Sequence, residues 1–500
     1  MYRKNNPHQL KFENFYLPFG GQLRSDNRWI ILAKQIPWHQ IEEAYGELFS
    51  EDNGCPAKSA RMALGALLIK ERLCTSDRET VEQITENPYL QCFLGLMEYH
   101  EDPPFDHSMM THFRKRFDKE MLVEINESIV EVAMENSEDS DIVPACVKDE
   151  SSNDNANDPP SNKGKMIVDA TCTPADIAYP TDVSLLNEAR EKSEEIIDAM
   201  HEPFIGVRKK PRTYRQKARK AYLAVAKQKK PGYKKIRKAI GQQLRYLKRN
   251  LGHIESMAEE GSLKYLGKRL YRLLLVIKEL YRQQLWMYEN RTHSISDRIV
   301  SLYQPHVRPI VRGKAKSSVE FGAKVSISLV DGFSFVEKIG WDAYNESCDL
   351  KEQIEAYHDR FGFYPESVHV DKIYRTKDNR RFCKKHCIRL SGPPLGRPPV
   401  DANALKEQKK LQHQDEVDRI AVEGKFGQGK RRFSLARIMT KLAQTSEVSI
   451  MIAFMVMNLE KILTGILSFL FFVWCQLSVW LQQDRPKLDD SILADYEIVA

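Results

Sequence analysis

Five hundred residues exceed what one small core organises, so two or three domains are expected. With 42% hydrophobic and 29% charged residues the composition is that of a soluble globular protein, and it argues against a disordered or fibrous chain. The formal net charge is only +7, so the distribution of charge carries more information than its sum. The nine cysteines are dispersed; only Cys383 and Cys387 lie close, which argues against a disulfide framework or a zinc site and for a reducing compartment. Met1-Tyr2-Arg3-Lys4 has no apolar run behind it, so no signal peptide is expected.

The first 134 residues read as helical. Asp26–Ala33 and Trp38–Phe49 form short helices, Ala63–Ile69 is an apolar helix centre, and Ser76 with Glu79 forms a capping box opening another helix. His112-Phe113-Arg114-Lys115-Arg116-Phe117 places basic residues on one further helix. This is compatible with a helix-turn-helix DNA binder, and equally with a small helical packing domain. Residues 135–162 are acidic and poor in apolar side chains, the composition of a flexible linker.

Lys165–Thr171 is a short apolar strand carrying Asp169 near its end. A helix follows from Ser184 to about Met200. Between Arg208 and Arg249 there are then eighteen Lys or Arg residues and no Asp or Glu. Lys209, Lys210, Lys217, Lys234, Lys235, Arg237 and Lys238 belong to this block, with Tyr214, Tyr222, Tyr233 and Tyr246 interleaved. A block without acids repels itself unless a polyanion neutralises it, so nucleic-acid contact is expected here. Leu263–Arg291 reads as an amphipathic helix packing this arm back on the domain.

From Ser317 the period changes to two. Val319–Val330 and Phe333–Ile339 flank Asp331-Gly332, a hairpin turn signal. Asp349–Tyr357 is helical, and Ser367–Asp371 is a second short strand ending in a carboxylate. Lys372, Arg375, Lys377, Arg380 and Arg381 follow at once, then the stiff loop Pro393–Pro399 and a helix over Glu407–Gln428. Residues 462–481 are uncharged and long enough to span a membrane, but their polar interruptions and soluble context favour a core or dimer-interface helix.

Two carboxylates at the ends of neighbouring strands can hold hard divalent cations. A third acid is available at Glu423, with Arg419 one turn before it and Lys430 seven residues after, on one face if the helix persists through Gly424, Gly427 and Gly429.

These motifs together resemble the DDE transposases of the IS4/IS5 group of bacterial insertion sequences. The matching pieces are Val168-Asp169-Ala170-Thr171, Gln304–Lys314, His369-Val370-Asp371 with Tyr374-Arg375, Leu390–Pro398, and Arg419, Glu423 and Lys430. Glu416 stands where the group has a Tyr. The resemblance implies an α/β, RNase H-like catalytic core with a mixed five-stranded sheet; here an N-terminal helical domain precedes it, and the large basic helical insertion departs from a minimal core of that kind. It implies that Asp169, Asp371 and Glu423 bind two Mg2+ or Mn2+ ions. Lys372, Arg375, Arg419 and Lys430 are then expected on DNA phosphates. The activity implied is cleavage at terminal inverted repeats of double-stranded DNA and joining of the 3′-hydroxyl ends to target DNA. A homodimer or larger assembly is expected, cytoplasmic and nucleoid-associated, with no membrane partner. A metal-dependent nuclease or an inactive DNA-binding relative remain the alternatives. The chain thus divides into 1–134, the linker 135–162, core residues 163–200, the basic insertion 201–300, core residues 301–460, and an apolar C-terminal helix and tail, 461–500.

Overall fold

The computed structural model describes residues 15–17, 20–49, 56–138, 162–311, 319–396 and 401–483. Most of the acidic segment, together with Arg312–Lys314 and Arg397-Pro398, lies outside them. The described chain begins with helices α1 (Arg28–Gln35), α2 (Trp38–Gly46), α3 (Ala60–Leu73), α4 (Asp77–Glu86), α5 (Pro88–Phe93), α6 (Met109–Arg116) and α7 (Lys119–Glu138). Strand β1 (Lys165–Pro174) follows, then α8 (Asp182–His201), α9 (Arg215–Ala226), α10 (Tyr233–Glu259) and α11 (Lys268–Glu289). The chain returns through β2 (Arg308–Val311), β3 (Val319–Val330), β4 (Phe333–Gly340), α12 (Leu350–Phe361), β5 (Ser367–His369), α13 (Lys377–Lys385), β6 (Arg389–Leu390), α14 (Ala402–Arg432) and α15 (Ala443–Gln483).

One mixed sheet organises these elements, in the order β2-β3-β1-β5-β6 with β4 also on β3. Strand β3 runs antiparallel to β1, and both β2 and β4 pair antiparallel with β3. Strands β5 and β6 extend the sheet in parallel, each reached through a connection that contains a helix. The path β4-β3-β1-β5-β6 is the expected five-stranded, RNase H-like sheet, and β2 adds a short sixth strand beside the start of β3. The hairpin turn forms as its sequence dictates: Asp331 and Gly332 both take positive φ, 47° and 77°, the backbone of a two-residue turn matching strand twist.

Strand β1 is buried on both faces, which is why Met166–Val168 and Ala170–Thr173 read as almost continuously apolar or small. It runs three residues beyond Thr171. Asp169 is therefore within an antiparallel ladder with β3, opposite Ile327, and not at the end of a strand.

The N-terminal helices are not a separate lobe. Their side chains, from Trp29 to Val130, share one hydrophobic core with the sheet, and α15 threads between them. The basic helix α6 serves this packing. Arg114 is buried and donates to Asp77 (3.0 Å), while Arg116 donates to the Tyr45 hydroxyl (3.2 Å) and covers the Phe49 ring. Only His112 and Lys115 of that basic run are exposed, which leaves little of it for DNA.

The insertion has its own core, built from α8, α10 and α11. Helix α8, expected within the catalytic core, thus packs with the insertion instead. Each Leu or Ile buried there, such as Leu186, Leu247 and Ile277, contributes about 1.5–3 kcal/mol. Arg190 is also inside, held by Glu194 (2.6 Å) and Asn187 (2.7 Å).

Helix α15 is buried along most of its length through Leu463. Beyond it Leu467, Phe469, Phe471 and Trp474 are exposed, so for most of residues 464–476 the helix is not part of this chain's core, and of the two expected roles only that of an interface is left to it. By length and composition Ala443–Gln476 could cross a membrane, but 67% of its most apolar stretch lies inside the protein.

Asn458 joins three elements at the centre. Its carboxamide oxygen accepts from the Ser334 N–H (2.9 Å) and hydroxyl (2.8 Å), and its nitrogen donates to Asn126 (2.9 Å) and to the Ser334 carbonyl (2.8 Å). Asn458→Leu leaves those buried groups unpaired and should lower stability by about 2–4 kcal/mol, read from the urea unfolding midpoint. An unchanged midpoint would show that this tie does not hold α15 to the sheet.

Candidate functional site

The parallel register of the two central strands sets the site. Ile167 pairs with His369, and two residues further along each chain stand Asp169 and Asp371. Strand β5 ends at His369, so the two acids stand just past the last β1–β5 pair, at the carboxyl end of β5, the usual side for a ligand in such sheets. Asp371 sits at the start of a short 3-10 turn, Lys372–Tyr374, where its Oδ1 accepts from the Lys372 N–H (2.7 Å).

Asp169 is half-buried, and its Oδ1 accepts from the Ala170 N–H (2.8 Å). Burial, with Glu346 and Asp371 adding negative charge, pushes its carboxyl up to about 6, against the pull of that hydrogen bond and of Arg419. Arg419 reaches back from α14 to Asp371, Nη1 to Oδ1 at 3.6 Å. The guanidinium thus pairs with Asp371, not with Glu423 one turn away. Glu423 is exposed on α14, and Lys430 is half-buried two turns further on. The helix does persist through its glycines, and Gly429 has a packing reason: a Cβ there would lie 2.6 Å from Leu435 Cδ1, so glycine lets α14 close on the segment before α15.

Helix α14 is fixed to the parallel strands by charge. Asp415 takes a fork from Arg389 of β6 (2.9 and 3.0 Å) and accepts from the Gly392 N–H (3.0 Å). Asp418 pairs with Lys165 of β1. His369, fully buried, lies between them, 3.5 Å from Asp415 and 3.1 Å from the Ser367 hydroxyl, and burial lowers its pKa. A second network holds the turn after Asp371. Glu346 pairs with Lys324 (2.7 Å) and accepts from the Tyr374 hydroxyl (3.2 Å), while Asn379 donates to the Ser347 and Tyr374 carbonyls (2.7 and 2.8 Å).

The structure therefore brings together Asp169, Asp371 and Arg419, with Arg375 close behind. It does not gather Glu423 with the two aspartates: among the described residues, no group of three acids, histidines or cysteines could hold a metal ion. Lys372 is exposed beside Asp371. In the insertion, Lys209, Lys210, Lys217, Lys234, Lys235 and Lys238 are exposed, although Lys210 is paired with Asp198. Arg237 is half-buried over the Tyr288 ring (4.2 Å), and Arg212 and Arg249 lie on Tyr214 (4.7 and 4.5 Å). The interleaved Tyr214 thus fixes arginines instead of facing a ligand. Glu346, Asp415 and His369 are not legible in the sequence as site residues, because their partners are far away along the chain.

The folded state binds the Asp169 proton more tightly than the unfolded chain, whose value is 3.8 against about 6. Stability should therefore fall as pH rises through that window and level off above it. Asp169→Asn should remove that slope and raise stability at pH 7.5 by up to about 3 kcal/mol in chelator. A variant with the wild-type slope in its urea midpoints would place the titration elsewhere.

Comparison with known proteins identifies two segments of the chain. The Transposase DDE domain matches residues 368–460, which hold Asp371, α14 and the buried part of α15. The Transposase domain (DUF772) matches residues 18–116, most of the N-terminal helices. An uncharacterized protein, ORF8 in the nfe locus of Rhizobium meliloti, is 33% identical over 158 residues, 32% of this chain and 67% of that protein. No solved structure matches the chain. With two transposase domains and a mixed sheet of RNase H-like order, the chain belongs to the DDE transposases, consistent with the IS4/IS5 type of insertion sequence.

Proposed function

We propose that this transposase cuts DNA at the terminal inverted repeats of its element and joins the 3′-hydroxyl ends to target DNA. The observation that carries the reading is the β1–β5 register, with Asp169 and Asp371 two residues beyond its last pair and α14 packed against both strands. The half-buried Asp169, raised by burial and acidic neighbours, is the kind of carboxylate a divalent cation relieves. Asp169 and Asp371 would hold Mg2+ or Mn2+, and Glu423 would join them once α14 or its side chain closes on the site. Two such ions supply activation of the attacking hydroxyl and neutralisation of the leaving oxygen.

The chain's own residues do the rest. Arg419 holds Asp371 before DNA arrives and can turn to a phosphate once the acid is otherwise occupied. Lys372, Arg375 and Lys430 position the strand, and the exposed lysines of the insertion neutralise flanking duplex. Working on two ends calls for two copies, and the exposed apolar end of α15 supports a homodimer. A cytoplasmic, nucleoid-associated site of action follows from the substrate. A second reading, an inactive DNA-binding relative, is favoured by Glu416 in place of the group's Tyr and by the ungathered Glu423.

Asp371→Asn and Glu423→Gln should each lower Mg2+-dependent cleavage of duplexes carrying the element's ends by roughly 10³-fold, since the lost charge stabilisation is several kcal/mol at about 1.4 per decade. Undiminished cleavage would remove these residues from the site, and cleavage without joined product would make the protein a nuclease. Replacing Lys234 and Lys235 by Gln should reduce the slope of log K against log salt on duplex DNA by about 2; an unchanged slope would take the insertion off the DNA.

A further inference from the structure

A cavity of about 260 Å3 opens beside the candidate site, between the chain after β6 and the first half of α14. Its lining combines Arg375, Arg380 and Arg389 with Pro393, Pro394 and Leu411. Arg389 is neutralised by Asp415, but among the described residues no carboxylate forms an ion pair with Arg375. The Arg375 Nε is buried without a hydrogen-bond partner, and burial together with Arg380 and Arg419 disfavours its charge against the weaker pull of Asp371 and Asp415. A Cβ at Gly392 would collide with this guanidinium, and the positive φ of 97° there also favours glycine. The loop is thus shaped around a cation that lacks a direct anion.

We propose that this cavity takes one unpaired nucleotide of a DNA strand, its phosphate on Arg375 and Arg380 and its base against Leu411 and the two prolines. The volume is too small for a duplex and lies below the ~300 Å3 at which drug-sized sites begin. A lining that combines cationic and apolar groups suits the two halves of a nucleotide. Gln408 and Gln412, also on the wall, offer amides to a base edge. The proposal rests on the DNA-processing reading, but it concerns binding alone.

The test is therefore made in chelator, where no cleavage occurs. The full chain is titrated with a blunt duplex and with the same duplex carrying a four-nucleotide single-stranded overhang. The overhang should bind about tenfold more tightly. Leu411→Asp, on an exposed helix face, should abolish that preference while leaving blunt-duplex affinity unchanged. Arg380→Gln should weaken overhang binding several-fold and lower its salt slope by about 0.7. Thymidine 5′-monophosphate should compete better than inorganic phosphate. Absence of a preference, an equal loss on both duplexes in either variant, or equal competition by the two anions would overturn the proposal. Cleavage by the Asp371 and Glu423 variants is measured separately with Mg2+, so the nucleotide site and the metal site can fail independently.

Discussion

Everything at the site hangs on the parallel pairing of β1 with β5. Three residue pairs, ending at Ile167 with His369, decide that Asp169 and Asp371 stand at the same level, two residues beyond the last β1–β5 pair. A slip of one residue would send one acid to the opposite face, because side chains alternate along a strand. Burial of β1 on both faces makes that slip costly, since it would turn apolar side chains out of two packed layers at once.

Charge completes what the register begins. Helix α14 carries little apolar periodicity, and its attachment relies on Asp415 with Arg389 and Asp418 with Lys165. Forked, partly buried pairs of this kind fix orientation more than they add stability. They set where Arg419 and Glu423 stand relative to the aspartates. The same region concentrates cationic charge around Arg375, a guanidinium that an anionic ligand would relieve.

The N-terminal helices and α15 belong to this core, not to a detachable reader of DNA. Arg114 and Arg116 show how a basic run can be consumed by packing. The insertion is the opposite case: its apolar face closes on a core of its own, leaving its lysines outward. Signs of charge alone do not separate these two outcomes; the presence of a partner within reach does.

Local sequence was enough to read four of the sheet's strands, the Asp331-Gly332 turn, the amphipathic insertion and the family, because these rest on periodicity, turn chemistry and motif spacing, while the short strands β2 and β6 carry too few residues to show a period. Asp169, Asp371 and Glu423 were read as a group through those motifs, with Arg419 beside them, and of these the structure brings Asp169, Asp371 and Arg419 together. Folding in three dimensions settled the rest: Asp169 lies inside a ladder, α8 packs with the insertion, Arg419 pairs with Asp371 rather than Glu423, and the end of α15 is exposed. Each of these depends on a partner distant in the chain, such as Asp418 for Lys165 or Glu346 for Tyr374, and no local pattern encodes which distant residue a side chain will meet.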